Sequence, residues 1–440
     1  MSGHQLNWTF RNKLRAVLPA VVFAAGSVQA QTAGAEEPLS AIDWLSRSVT
    51  TPAAMPAPRT ALQEPPVTSG VARGSISVTP LDMRSYDSIG LAPAAKAGLP
   101  EDFWGTTSAT ELARMIRAER VDTLPAIQTL LYALLLSEFR PPAGSDPGGS
   151  FFLARIDKLL DLGALEPALA MLEQVEAPSP ELFRRWFDIA LLTGQEDRAC
   201  DLMRSTPGLA PTFPAQVFCL ARGGDWNAAA LALRTGETLG YIDPDMAALL
   251  ERFLDPELFE GEPDLPVPTR PSPLVLRLME AIGQPLPTVS LPVPFAQADL
   301  RSNAGWKSRL EAGERLARTG AIDANRLLGL YTERKAAASG GIWERVKAVQ
   351  ALDEAVAADD KAAAAHGLPV VWSLMTEAEL ETSFAALYGK KLSDMNLPGT
   401  AGTIAFRIGL LSGAFETVAA NRKAPDSDER FLIAIANGQG

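Results

Sequence analysis

Cys200 and Cys219 are the only cysteines in the 440-residue chain. They flank the Pro/Gly loop STPGLAPTF, whose centre lies close to their midpoint, between Leu209 and Ala210. Two antiparallel helices leaving that loop would carry the two side chains to the same depth. An even cysteine count at matched depth predicts a disulfide. Closing a loop of about 20 residues is worth about 3 kcal/mol in the chain-entropy treatment. The C-x-x-C spacing of a redox-active pair is missing.

Few other residues could do chemistry. Of two histidines, His4 lies in the N-terminal leader described below, which leaves His366 in DDKAAAAHGLPVV. A lone imidazole without a free thiol gives no material for a histidine-rich zinc site or Cys-His catalysis. No G-x-S-x-G elbow accompanies it. His366 is expected to sit at a helix end before Gly367 and Pro369, where a cation suits the helix dipole. Glu381 in ELETSF is the one residue with the look of a glycosidic acid, because exported helical superhelices sometimes precede a lytic transglycosylase domain. There the acid is followed by serine; here Thr382 follows. A solvated helix face with Leu380 and Phe384 turned inward is the expected arrangement. Asp359-Asp360 reads as a polar turn. GSDPGGS at 144–150 lacks the Lys-Ser/Thr ending of a P-loop and reads as a hairpin loop. No catalytic residue, cofactor or metal is expected.

The start of the chain reads as an export leader. Arg11, Lys13 and Arg15 precede the short apolar run AVLPAVVFAAGSV, and Val28-Gln29-Ala30 offers a cleavage site after Ala30. The run is short for a membrane span and holds Pro19. Removal of residues 1–30 takes three of the 40 basic residues and no acid, leaving 37 against 52 and a net charge of −15. That acidity opposes binding to nucleic acid or anionic lipid, and an exported chain meets the oxidising conditions a disulfide needs.

Residues 31–104 are rich in Pro, Ala, Ser and Thr and read as a disordered low-complexity tether. Two apolar islands interrupt them: PLSAIDWLS, with Leu39, Ile42, Trp44 and Leu45 near one helical face, and GSISVTPLDM, which alternates like a strand. From about residue 105 the pattern turns helical. FFLARIDKLLDLG places Phe152, Ile156, Leu159, Leu160 and Gly163 on one face of a 3.6-residue period. Ser179-Pro180-Glu181 reads as N-cap, first helical residue and acidic first turn.

Three helix hairpins then follow one another, with turn glycines at Gly163, Gly194 and Gly224. Five residues after each stands an alanine: Ala168, Ala199 and Ala229. Four residues later come Leu172, Met203 and Leu233. Pro180 and Pro211 are expected to open the next hairpins. Small residues past the turn let paired helices approach, and the larger ones fill the seam. Over roughly residues 150–240 this resembles the tetratricopeptide-like repeat, whose helix pairs stack into a superhelix. The period is shorter than the family's 34 residues, and Ile156, Phe187 and Val217 stand where it prefers a small residue. The family's concave peptide groove therefore does not carry over.

The Pro-rich stretch 255–294 reads as a connector with one short helix, and helices resume over 295–440. The expected fold is all-α: stacked helix hairpins of a TPR-like α-solenoid in two lobes, 105–254 and 295–440, behind the tether. Trp186, Trp226, Trp306 and Trp343 are expected in the core. The layout is similar to that of uncharacterised exported proteins of alphaproteobacteria. The expected function is a periplasmic or secreted scaffold that binds envelope proteins through the 150–254 surface, without catalytic activity. The alternative is a peptidoglycan- or glycan-processing enzyme, or its accessory subunit, with Glu381 as the acid.

Overall fold

The computed structural model describes residues 85–176, 179–336 and 338–439. The leader, the cleavage site after Ala30, both apolar islands and the tether up to residue 84 lie outside the described residues. Nineteen α-helices, five short 3-10 helices and one two-residue parallel pairing make up the regular structure of the described residues.

The last twenty residues assigned to the tether are folded. β1 (Ala92–Pro93) pairs in parallel with β2 (Ser137–Glu138), and Leu91 N–H bonds Leu136 O at 2.7 Å. Asp87 is fully buried and accepts from Phe152 N–H at 2.8 Å. The tether reading fails here because the composition is that of a linker while the anchoring atoms are mostly backbone, which composition does not register.

α1 (Ala109–Ala118) and α2 (Pro125–Leu136) lead into the stacked pairs. α3 (Ser150–Asp161) pairs with α4 (Leu165–Leu172), α5 (Pro180–Thr193) with α6 (Glu196–Ser205), and α7 (Phe213–Arg222) with α8 (Trp226–Thr238). α9 (Pro244–Leu254) packs on α7 and α8. Gly163, Gly194 and Gly224 take left-handed φ of 79°, 77° and 82°, which only glycine adopts without strain. Ala168, Ala199 and Ala229 are completely buried in the seams. Ser179 caps α5 as expected. Pro211 does not open α7: Thr212 caps it by accepting from Ala215 N–H, and Pro214 occupies its first turn. A hydroxyl that satisfies a free helix N–H sets the start more firmly than a nearby proline.

Cys200 on α6 and Cys219 on α7 form a disulfide with a Cα–Cα distance of 5.0 Å. It ties the second hairpin to the third rather than closing one hairpin. Breaking it with the Cys200→Ser/Cys219→Ser double substitution is expected to remove about 3 kcal/mol. Hydrogen exchange should rise in α6 and α7 and stay unchanged in the C-terminal lobe. Equal thermal midpoints for parent and variant would count against it.

The connector is not a spacer. α10 (Pro273–Ala281) packs on α5 and α9, and Leu274, Leu276, Leu278 and Met279 are buried in the first core. α11 (Ala296–Asp299) also lies on α5, and residues 293–295 touch α3. The prolines stop helix formation between these pieces but leave their apolar side chains free to dock.

The second lobe holds α12 (Trp306–Arg318), α13 (Ala324–Thr332), α14 (Ile342–Ala357), α15 (Lys361–Glu377), α16 (Glu381–Asp394), α17 (Gly399–Leu410), α18 (Phe415–Asn421) and α19 (Ser427–Ala436). His366 does not end a helix. α15 continues through Gly367 and Pro369 to Glu377, anchored by buried Ala364, Leu368, Val371 and Met375. The bond Pro369 forgoes would go to the carbonyl of Ala365, a partly exposed residue, so the break is inexpensive there.

The described residues form one unit, in which two cores meet at the first hairpin turn. Gln297 Nε2 donates to Gly163 O at 2.7 Å, Thr319 Oγ1 to Leu162 O at 2.7 Å, and Tyr132 Oη to Thr319 O at 3.1 Å. Arg326 pairs with Glu166 at 2.7 Å on the same seam.

Candidate interaction surface

The first helices of the pairs carry charge into the interior. On α3, Arg155, Asp157, Lys158 and Asp161 are all buried. Arg155 is fully buried and its five N–H groups make five bonds: Nε and Nη2 to Leu135 O, Nη2 to Ser137 O, and Nη1 to Asp87 O and Ile89 O. Burial pulls its pKa down to about 10, against the attraction of the Asp87 carboxylate. Lys158 Nζ closes the end of α1 by donating to Arg117 O and Glu119 O, and also reaches Asp161 at 3.0 Å. Asp157 receives a two-pronged bond from Arg185 of α5, at 2.5 and 3.1 Å. These contacts join α1, α3, α5 and the 85–93 strap.

Two more charged groups tie neighbouring elements. Glu196, at the start of α6, pairs with Arg277 of α10, which also holds Glu280; Arg301 reaches Glu280 at 2.8 Å. In the second lobe buried Glu314 accepts from Tyr331 Oη at 2.8 Å and from Arg345 at 2.7 and 2.6 Å. Sequence reading missed all of these residues. Read one helix at a time, a charged position and a solvated one look alike; only the covering of α3 and α5 by α1, α10 and α11 distinguishes them.

Asp188 on α5 is buried, and desolvation pushes its pKa up to about 7 despite Arg184 and Arg185 one turn before it. An acid with a raised folded pKa holds its proton in the native state after the unfolded chain, near 3.8, has lost it. Stability therefore falls as pH rises from about 4 to about 7, by an amount on the order of a few kcal/mol. Asp188→Asn should flatten that slope and melt above the parent at pH 8, with the two close together at pH 4. Parallel melting curves across pH 4, 6 and 8 would contradict it.

The residues singled out for catalysis are not brought together. Glu381 lies in the first turn of α16, where an acid suits the dipole, with Leu380 and Phe384 fully buried beside it. His366 is exposed on α15. Asp359 takes a positive φ of 52° and Asp360 caps α15 by accepting from Ala362 and Ala363 N–H. Among the described residues no group of three or more His, Cys, Asp or Glu could hold a metal ion. A depression between α9 and the connector is lined by Glu257, Glu260, Glu262 and Asp264, with Arg252 stacked over Phe259.

Among the stacked pairs, the side open to solvent is the outer side of the second helices. α3 and α5 are buried nearly throughout, whereas α6 and α8 expose one face. Trp226 of α8 is 51% exposed and Leu231 70%, so Trp226 is not the core residue expected, while Trp186 and Trp306 are buried. Trp226 is the first residue of α8, next to its cap Asp225. No protein-family model, curated protein or solved structure matches this chain. No helix of the described residues is long and apolar enough to cross a membrane.

Proposed function

We propose that the chain is an exported helical-repeat scaffold, periplasmic or secreted, that binds another envelope protein. The observation that carries this reading is the stack: α3 and α5 are covered by α1 and the chain's own connector, while α6 and α8 leave one face open. The pairing rule of turn glycine, small residue and larger seam residue resembles that of tetratricopeptide-like repeats, which use stacked surfaces for binding. Export is supported by the basic and apolar leader, the Val28-Gln29-Ala30 site and the bridging of both cysteines. Because the inner faces of α3 and α5 are filled, we put the partner surface on the exposed side chains of α8, among them Trp226 and Leu231. An exposed tryptophan is one of the residue types that anchor binding hot spots.

The test is in-cell crosslinking and purification of the tagged chain from the envelope, alongside a Trp226→Ala/Leu231→Asp variant. One stoichiometric partner, lost in the variant, is the expected result. Enrichment of glycan fragments alone would overturn the reading and return attention to the C-terminal lobe and Glu381.

A further inference from the structure

α2 carries no charged residue in PAIQTLLYALLL, and Gln128 and Thr129 are its only polar side chains besides the Tyr132 hydroxyl. One side is accounted for: Gln128, Leu131 and Leu135 are buried, and Tyr132 reaches the second lobe. The adjoining stripe is open. Leu124 is 70% exposed, Ile127 46% and Leu130 51%, at spacings of three. Most other exposed apolar residues of the described chain stand singly and need no partner. Three in a row on one helix expose surface on the order of the few hundred Å² that marks interaction sites.

We infer that residues 38–46 of this same chain, PLSAIDWLS, dock on the Leu124–Ile127–Leu130 stripe of α2. Leu39, Ile42 and Leu45 recur at the same spacing of three, with Trp44 beside them. Matched ridges of this kind pack as an amphipathic segment in a groove. Asp43, Glu36 and Glu37 meet no like charge on α2 itself.

The chain's path permits it. The described residues begin at Ser85, and five residues on, Gly90 lies so close to the end of α2 that an added Cβ would come within 2.5 Å of Glu138 N. Ser85 is thus at most about 18 Å from that end. Leu130 lies roughly 10 Å back along the helix from Ser137. The 39 residues 46–84 join Leu45 to Ser85, and a chain of that length can reach well beyond the roughly 30 Å that separates Ser85 from Leu130. Attachment to the same chain raises the segment's effective concentration at the stripe, so weak contacts suffice. The inference concerns the chain alone and stands apart from the scaffold reading.

The purified full chain with a benzophenone residue at position 127 tests it. Photolysis of an equal mixture of ¹⁴N- and ¹⁵N-labelled chains should link position 127 to the tryptic peptide ending at Arg47, within one isotopic species. Ile42→Glu/Leu45→Glu should reduce that link at least tenfold, while the far-UV spectrum stays that of the parent. Links to any other peptide, links only between the two isotopic species, or a yield unchanged by the double substitution would each overturn the inference.

Discussion

Replacing Arg155 with methionine is expected to lower stability by about 3–5 kcal/mol, the range seen when one side of a buried charged network is removed. Methionine keeps much of the volume but donates nothing. Four carbonyl oxygens, those of Leu135, Ser137, Asp87 and Ile89, lose their partners in a site with no exposed surface. Each buried acceptor left bare carries a desolvation penalty of about 1–3 kcal/mol unless water reaches it. The strap can admit water most easily, so the loss should be local first. Residues 85–93 should exchange their amide hydrogens freely in the variant, beginning with Leu91 N–H, which bonds Leu136 O. Asp87 would then be released from a site where burial raises its pKa. Arg155→Lys should rescue little, because one ammonium cannot serve four carbonyls spread over two segments. A methionine variant that loses under about 1 kcal/mol in urea, with 85–93 still protected, would show that the guanidinium is replaceable.

The stacked pairs were legible because their determinants are local. A glycine at a left-handed turn, an alanine five residues on and a large residue four beyond that act within one hairpin, so the three copies could be read at 163, 194 and 224. The disulfide was legible for a related reason: its two cysteines are equidistant from one loop. What lay beyond reach depended on elements distant in sequence. Arg155 sits between apolar residues on α3, and nothing near it says that residues 87, 89, 135 and 137 will supply the acceptors. The 255–294 stretch shows its prolines plainly, but the burial of Leu278 on α5 is a tertiary fact. Pro369 gave a strong local signal that lost to anchoring on both sides of it. Trp226 gave a core signal that failed: the first residue of α8 is half-exposed. The candidate surface therefore became visible only after the structure showed which helix faces the chain fills for itself.

The three turn glycines should separate sharply when each is changed to alanine, although the sequence makes them look equivalent. Their φ values lie within a few degrees of one another, so the backbone penalty for a Cβ is common to all, about 1–2 kcal/mol. Their surroundings differ. At Gly224 an added Cβ meets nothing within 4 Å, and the backbone term should be the whole effect. At Gly194 it meets Arg301 Cδ at 3.3 Å, the middle of a flexible side chain that can shift. At Gly163 it would come to 2.7 Å from Leu316 Cδ2 and 3.0 Å from Val293 Cγ1, both belonging to elements of the second core or its edge. Overpacking of that kind adds about 1–3 kcal/mol. Relief by outward movement of α12 and of the 293–299 stretch would stretch the bonds from Thr319 to Leu162 O and from Gln297 to Gly163 O. Gly163→Ala should therefore cost about 2–5 kcal/mol in all, with faster hydrogen exchange at residues 316–321. Gly224→Ala should leave those residues as protected as in the parent. The outcome decides whether the first hairpin turn is the point that holds the two cores together. Equal losses at all three positions would mean that the seam yields freely there, and that the lobes are joined by the remaining contacts of Tyr132 and Arg326 instead.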